Sequence, residues 1–204
     1  MTRQIRFIWK PLTLLLCLVP MMLIIGRIYG VGGTLGSNPI EALQDHFGEW
    51  GLRFILITLC VTPLRKISGL NWLLRFRRML GLFAFFYILM HFLVWMVLDQ
   101  DLLHSASALD TIVDDILERP FITIGMVALL LLIALAMTST NRMRRWLGRS
   151  WQKLHNSIYL IAVLGVWHFW WQVKNDISEP LVYALILSVL LGYRIWDKRK
   201  TSRA

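Results

Sequence analysis

Long apolar runs, separated by short segments rich in arginine, glycine or acids, set the pattern of this chain. Leu12–Ile25 and Phe121–Met137 contain no charged residue. About 20 apolar residues in a helix cross the ~30 Å hydrocarbon core of a bilayer. The pattern predicts six such helices, over Pro11–Tyr29, Gly48–Pro63, Met79–Leu98, Phe121–Ser139, Leu154–Trp171 and Pro180–Trp196, some of them slightly short. Pro120 and Pro180 stand at helix starts, where a missing N–H costs least. Pro63 is expected to close the second span and Pro20 to kink the first.

The connecting segments have their own signals. Gly30–Gly36 is glycine-rich but follows no strand, so it reads as a flexible loop and not as a dinucleotide-binding turn. Between Asp99 and Arg119, the acids Asp110, Asp114, Asp115 and Glu118 alternate with Ile112, Val113, Ile116 and Leu117. That spacing predicts an amphipathic helix lying on the membrane surface, with partner docking as the alternative.

Composition narrows the class. Of 204 residues, 57% are hydrophobic and only 17% charged, and the mean hydropathy is +0.58. A soluble domain carries about a quarter charged residues. The expectation is one domain over residues 1–204, an all-α polytopic membrane helical bundle. Arg3, Arg6 and Lys10 precede an apolar stretch as in a signal peptide, but Pro11–Ile25 reaches Arg27 without a small-x-small cleavage site. A retained first helix follows. Cys17 and Cys60 fall mid-span and read as small buried residues, not as a disulfide.

The net charge of +10 would fit nucleic acid, but its distribution points to topology. Basic residues cluster at the N-terminus, in the second connection (Arg65, Lys66, Arg75, Arg77, Arg78), in the fourth (Arg142, Arg144, Arg145, Arg149, Lys153) and at the C-terminus. The opposite side holds Arg27, Arg53, Arg119 and Lys174, with every acid except Asp197. The positive-inside rule makes the basic side cytoplasmic, so both termini are expected there. Contact with anionic membrane lipid accounts for the clusters, and no nucleic-acid partner is expected. Tryptophans fall into two belts, Trp9, Trp72, Trp146, Trp151 and Trp196 inside, Trp50, Trp95, Trp167, Trp170 and Trp171 outside.

Three histidines carry the candidate chemistry. His91, His155 and His168 lie in or at the mouth of apolar segments, where an ionisable group points to function. Neutral imidazole is a common ligand of haem iron. The third and fifth spans run parallel, and His91 and His168 lie at matched depth toward the outside, suited to face each other across one haem. His155 stands at the cytoplasmic end of the fifth span, level with Arg77. Two levels result, a His–His level outside and an Arg–His level inside. The thirteen residues from His155 to His168 turn an ideal helix by a residual of about 220°, so the two do not share a face unless His155 precedes the first turn or the helix bulges. Arginine stays protonated and is a poor iron ligand, so Arg77 suits a carboxylate such as a haem propionate. The alternatives are an interhelical hydrogen bond for each histidine or a haem-free metal site, for which no carboxylate or thiolate is expected nearby within the spans. His46, just before the second span, and His104, in the long outer loop, read as interfacial and solvated.

Several strings carry a resemblance. They include Gly33-Thr34-Leu35-Gly36-Ser37-Asn38-Pro39, Asp45-His46-Phe47-Gly48, Thr62-Pro63-Leu64, Arg77-Arg78-Met79-Leu80-Gly81-Leu82, Arg119-Pro120-Phe121-Ile122-Thr123, Thr138-Ser139-Thr140-Asn141, Leu154-His155-Asn156 and His168-Phe169-Trp170. Nearly end to end, the chain resembles the haem-binding membrane subunits of periplasmic methionine sulfoxide reductase systems. That family lies in the ferric-reductase-like transmembrane superfamily, shared with NADPH oxidases. In the superfamily the third and fifth helices each carry two histidines for two stacked b haems; His91, His155 and His168 match three, and Arg77 stands at the fourth. The resemblance implies one or two b haems with FMN, in a multi-pass protein of the bacterial inner membrane. It implies electrons from the quinone pool or a cytoplasmic flavin reductase, and a periplasmic molybdenum-cofactor methionine sulfoxide reductase as acceptor. The chain would be an electron-transfer subunit and not a catalytic one. The competing readings are a ferric- or metalloreductase-like or quinol-oxidising cytochrome b with another acceptor, and a non-redox membrane protein.

Overall fold

The computed structural model describes residues 2–104, 107–173 and 176–203. Lys174, expected on the outer side, lies outside the described residues. Among them the secondary structure is entirely helical. In chain order the helices are α1 (Ile5–Ile28), α2 (Pro39–Ser68), α3 (Arg77–Leu93, prolonged by a π-helical turn over Val94–Asp99), α4 (Ala108–Glu118), α5 (Pro120–Met137), α6 (Asn141–Leu147), α7 (Arg149–His155), α8 (Ile158–Gln172) and α9 (Ser178–Arg203).

Five of these helices are long and apolar enough to cross a membrane: α1, α2, α3 with its extension, α5 and α9. At 15 residues, α8 is shorter. Their outer surfaces are greasy. Leu15 in α1, Leu130 in α5 and Val189 in α9 are each more than 60% exposed. Large apolar side chains on the outside of so many helices need an apolar surrounding, and a helix satisfies its own backbone there. The protein is a multi-pass membrane protein.

The interior is built from two helix pairs. α3 lies along α2, and α8 lies along α5; α3 also meets α5, and α2 meets α8. α9 packs on α8 and α2, while α1 touches α2 and α3 more sparsely. Leu59, Tyr87, Ile161 and Ala162 are essentially sealed at the centre, and the ring of Tyr87 stacks on Phe54 at 5.2 Å.

Local chemistry explains most helix ends. Asn38 caps α2 by accepting from the Glu41 N–H at 3.3 Å, with Pro39 in the first turn. Thr140 caps α6 through the Met143 N–H at 3.2 Å. Arg119, with extended backbone ahead of Pro120, divides α4 from α5.

Pro63 does not close the second span. α2 runs through it to Ser68 and stops at Gly69, whose φ of 72° is left-handed. A proline inside a helix leaves the carbonyl four residues earlier without its donor. Here that carbonyl belongs to Leu59, and Arg194 of α9 donates Nη2–H to it at 2.9 Å. A neighbouring helix thus replaces the missing bond. Pro20 also lies within a helix, α1. One residue on, the Tyr87 hydroxyl accepts from Met21 N–H at 3.1 Å and donates to Cys17 C=O at 2.8 Å. His46 Nε2 donates to the Pro20 carbonyl at 3.0 Å. His46 is therefore a half-buried link between α1 and α2, whereas His104 is exposed beside Asp101, as expected.

The remaining differences are at the ends of elements. The fifth span is interrupted: α7 ends at His155, and α8 begins at Ile158 after the turn at Asn156 and Ser157. His155 thus precedes the first turn of α8. The amphipathic segment does form α4, with Leu109, Val113 and Leu117 exposed and Asp115 buried. Cys17 and Cys60 are free thiols, as expected.

Candidate cofactor site

His91 and His168 meet at one cavity. Their rings lie 6.1 Å apart, centroid to centroid, at 85° to each other. A metal–imidazole bond is about 2.0–2.1 Å, so two imidazoles on opposite sides of one metal ion have centroids roughly 6 Å apart. The cavity measures about 590 Å³, within the range of small-molecule and cofactor pockets. Its floor is apolar, with Leu52, Ile55, Leu129, Leu132 and Ile161, and its mouth carries Gln44, Asp45, Glu49, Asp99, Arg119 and Gln172.

Each ring is held in the same way. His91 Nδ1 lies 2.9 Å from the Gln44 carbonyl, and His168 Nδ1 lies 2.7 Å from the Phe121 carbonyl. A carbonyl only accepts, so each Nδ1 carries the proton and donates. In the neutral ring this leaves Nε2 with its lone pair, the tautomer that a metal ligand requires. Both bonds span 47 residues of sequence. One turn beyond each carbonyl stands a glycine. A Cβ on Gly48 would come 3.0 Å from His91 Nδ1, and one on Gly125 3.0 Å from His168 Nδ1 and Cε1. The α2–α3 and α5–α8 pairs therefore build matching half-sites, each a histidine, a carbonyl and a glycine that makes room for the ring.

His155 is elsewhere. It does not line this cavity. Its Nε2 lies 3.1 Å from Thr138 Oγ1, and that hydroxyl already donates to the Ala134 carbonyl at 2.7 Å. The Thr138 hydroxyl thus engages Nε2, the nitrogen that is free in the outer pair. The ring also stacks on Trp151 at 4.0 Å. Arg77 lies within electrostatic reach of both His155 and Arg194. His155 is thus held by Thr138 and Trp151, with the nitrogen engaged that the outer pair leaves free.

Glu49, inside the expected second span, lines the cavity with the outer pair, contrary to expectation, and Asp45 and Asp99 line it from just outside the expected spans. They do not form a metal shell: among the described residues no three of His, Cys, Asp or Glu are grouped to hold an ion. Glu49 is engaged by Arg53 at 2.6 Å, and Arg53 also donates to Tyr183 at 2.8 Å.

Residues 47–166 match the family described as ferric reductase like transmembrane component. Its match ends just before His168. Over 89% of this chain and 82% of its own length, the protein-methionine-sulfoxide reductase heme-binding subunit MsrQ of Ralstonia nicotianae is 47% identical. The chain belongs to the MsrQ family. The MsrQ of Xanthomonas euvesicatoria is 48% identical over 85% of this chain and 78% of its own, and that of Azospira oryzae 49% over 81% and 70%. No solved structure matches significantly. The sequence reading of this MsrQ-family chain missed Gly48 and Gly125. Their signal is a glycine in an apolar helix at the depth of a histidine on the next one, legible only once the helices are paired.

Proposed function

We propose that the chain is the haem b-carrying membrane subunit of a periplasmic methionine sulfoxide reductase system, conducting electrons and not itself catalysing the repair. The observation that carries this reading is the pair His91–His168, 6.1 Å apart with both Nε2 lone pairs available, on one 590 Å³ cavity. The residues present fit a haem. His91 and His168 would be the axial ligands, Gly48 and Gly125 leave space for their rings, and the apolar floor would take the macrocycle. When bound, the haem supplies one-electron chemistry, with two imidazoles keeping the iron closed to oxygen.

The protein's own groups prepare that site. The Gln44 and Phe121 carbonyls fix both ring orientations and raise ligand basicity. The surrounding apolar side chains exclude water. A second haem at His155 would have to displace the Thr138 bond, so one haem is the favoured count, with Arg77 and His155 an inner polar station near the donor side. FMN enters this reading through the resemblance alone.

Six spans with both termini cytoplasmic complete it. The crossing beyond the five long helices is α8, fifth in chain order and about 22 Å long at 1.5 Å per residue, fed by α7 through the Asn156–Ser157 turn. Electrons would come from the quinone pool or a cytoplasmic flavin reductase in the bacterial inner membrane. The acceptor would be a periplasmic molybdenum-cofactor reductase acting on oxidised envelope proteins.

Absorption spectra with haem quantitation test the site. His91→Ala and His168→Ala should each lower the haem-to-protein ratio by more than about tenfold, since even second-shell losses at metal sites cost 10–100-fold. His155→Ala should retain most of the low-spin spectrum. Full haem in both outer variants would overturn the reading.

A further inference from the structure

Among the described residues that line the cavity, Arg119 is the cation. Asp45, Glu49 and Asp99 line it too; Arg53 neutralises Glu49, which leaves Asp45 and Asp99 as the uncompensated acids. A haem is a flat apolar ring with two carboxylates on one edge. The apolar floor rejects that edge and those two acids repel it, which leaves the neighbourhood of Arg119. We propose that Arg119 is the carboxylate-binding residue of this cavity, anchoring the acidic edge of the cofactor at the outer mouth, with Asp115 as the residue that positions it. The inference rests on the haem reading above.

The details of Arg119 suit that role. Its backbone is extended ahead of Pro120, at the junction of α4 and α5, so its Cα has little freedom. Its Nε lies 3.1 Å from Asp115 Oδ1. Asp115 is one of two buried polar side chains among the described residues, and Gln100 Nε2 holds its other oxygen at 2.9 Å. A buried carboxylate fixed by two partners makes a rigid support. Guanidinium presents five N–H donors in a planar fork. Asp115 faces Nε as an ion-pair partner. Among the described residues no acceptor takes Nη1 or Nη2, and these are the donors that grip a second carboxylate. With its side chain 55% exposed, Arg119 stands at the rim, open to a ligand from the cavity.

This anchor would also tune the site. A cation beside the carboxylates disfavours ferric haem, which carries one more positive charge than ferrous, and so raises the midpoint potential. Asp115 acts in the opposite sense.

The test uses full-length protein in detergent, with haem titration into the apo form and spectroelectrochemistry of the loaded form. Arg119→Gln should weaken haem binding about tenfold, the worth of one charge-assisted hydrogen bond, and lower the midpoint potential. Asp115→Asn should raise the potential. Arg119→Lys keeps the charge and loses the fork, so it should hold the potential near the wild-type value while binding haem more weakly than wild type. Wild-type affinity and potential in Arg119→Gln would overturn the inference. So would shifts of the same sign in Arg119→Gln and Asp115→Asn, as a merely structural salt bridge would give. If Arg119→Gln does not fold, an unshifted potential in Asp115→Asn overturns it instead. Wild-type protein that takes no haem would sink the haem reading itself; unchanged variants of a haem-loaded wild type would sink this inference alone.

Discussion

At Gly125 an added methyl group would stand 3.0 Å from two atoms of the His168 ring, and at Gly48 it would stand 3.0 Å from His91 Nδ1. Neither ring can yield freely, because each is tied through Nδ1 to a carbonyl on the same helix as its glycine. Overpacking of this kind costs about 1–3 kcal/mol. Gly48→Ala and Gly125→Ala should therefore weaken haem retention by roughly tenfold or more, while the protein still inserts in the membrane. Haem titration of the purified variants measures this; full affinity in both would show that the glycines are not part of the site. His155 obeys a different local rule. Thr138 engages its Nε2, and Trp151 covers its ring, so its proximity to Arg77 does not by itself make a ligand.

At the level of helices, Pro63 is tolerated in the interior because a partner supplies what it removes. α2 keeps its course through Pro63 because Arg194 reaches the Leu59 carbonyl. Arg194 is also bonded to the Tyr159 hydroxyl and lies over its ring, so one guanidinium ties α9 to α2 and α8. Replacing it by leucine leaves an unsatisfied carbonyl in an apolar place, at a cost of about 1–3 kcal/mol. Arg194→Leu should thus lower the thermal midpoint. Pro63→Ala restores an N–H for the same carbonyl, so the double variant should recover part of the loss. Equal midpoints for Arg194→Leu and the double variant would refute this account. α1 is tied differently: the Tyr87 hydroxyl enters the rung after Pro20, between Met21 N–H and the Cys17 carbonyl.

For the whole molecule, the organising fact is the pairing of α2 with α3 and of α5 with α8, which brings two half-sites of equal 47-residue spacing to one cavity. The cavity mouth carries the acids, and the opposite end of the bundle carries the arginine clusters. This polarity predicts the orientation. A reporter fused at the C-terminus should read cytoplasmic, and one inserted within residues 30–36 should read external. A C-terminal reporter on the outside would refute the six-span arrangement and make α8 an incomplete crossing.

Hydrophobicity and charge are properties of the chain itself, so the sequence alone determined that this is an all-helical, multi-pass membrane protein with an amphipathic segment between Asp99 and Arg119. It also set His91 and His168 at matched depth, because rise per residue is fixed once a helix is assumed. Helix ends were less legible. Pro63 reads as a terminator until Arg194, far away in sequence, satisfies Leu59, and the break at Asn156–Ser157 falls within the expected fifth span, at the polar triplet His155–Ser157. Only the tertiary structure decided which nitrogen of each histidine is free, since that depends on the Gln44, Phe121 and Thr138 oxygens of other segments. It alone showed why Gly48 and Gly125 must be small, and why three acids and Arg119 share one mouth. Periodicity acts along one helix, whereas hydrogen-bond partners and steric room come from its neighbours.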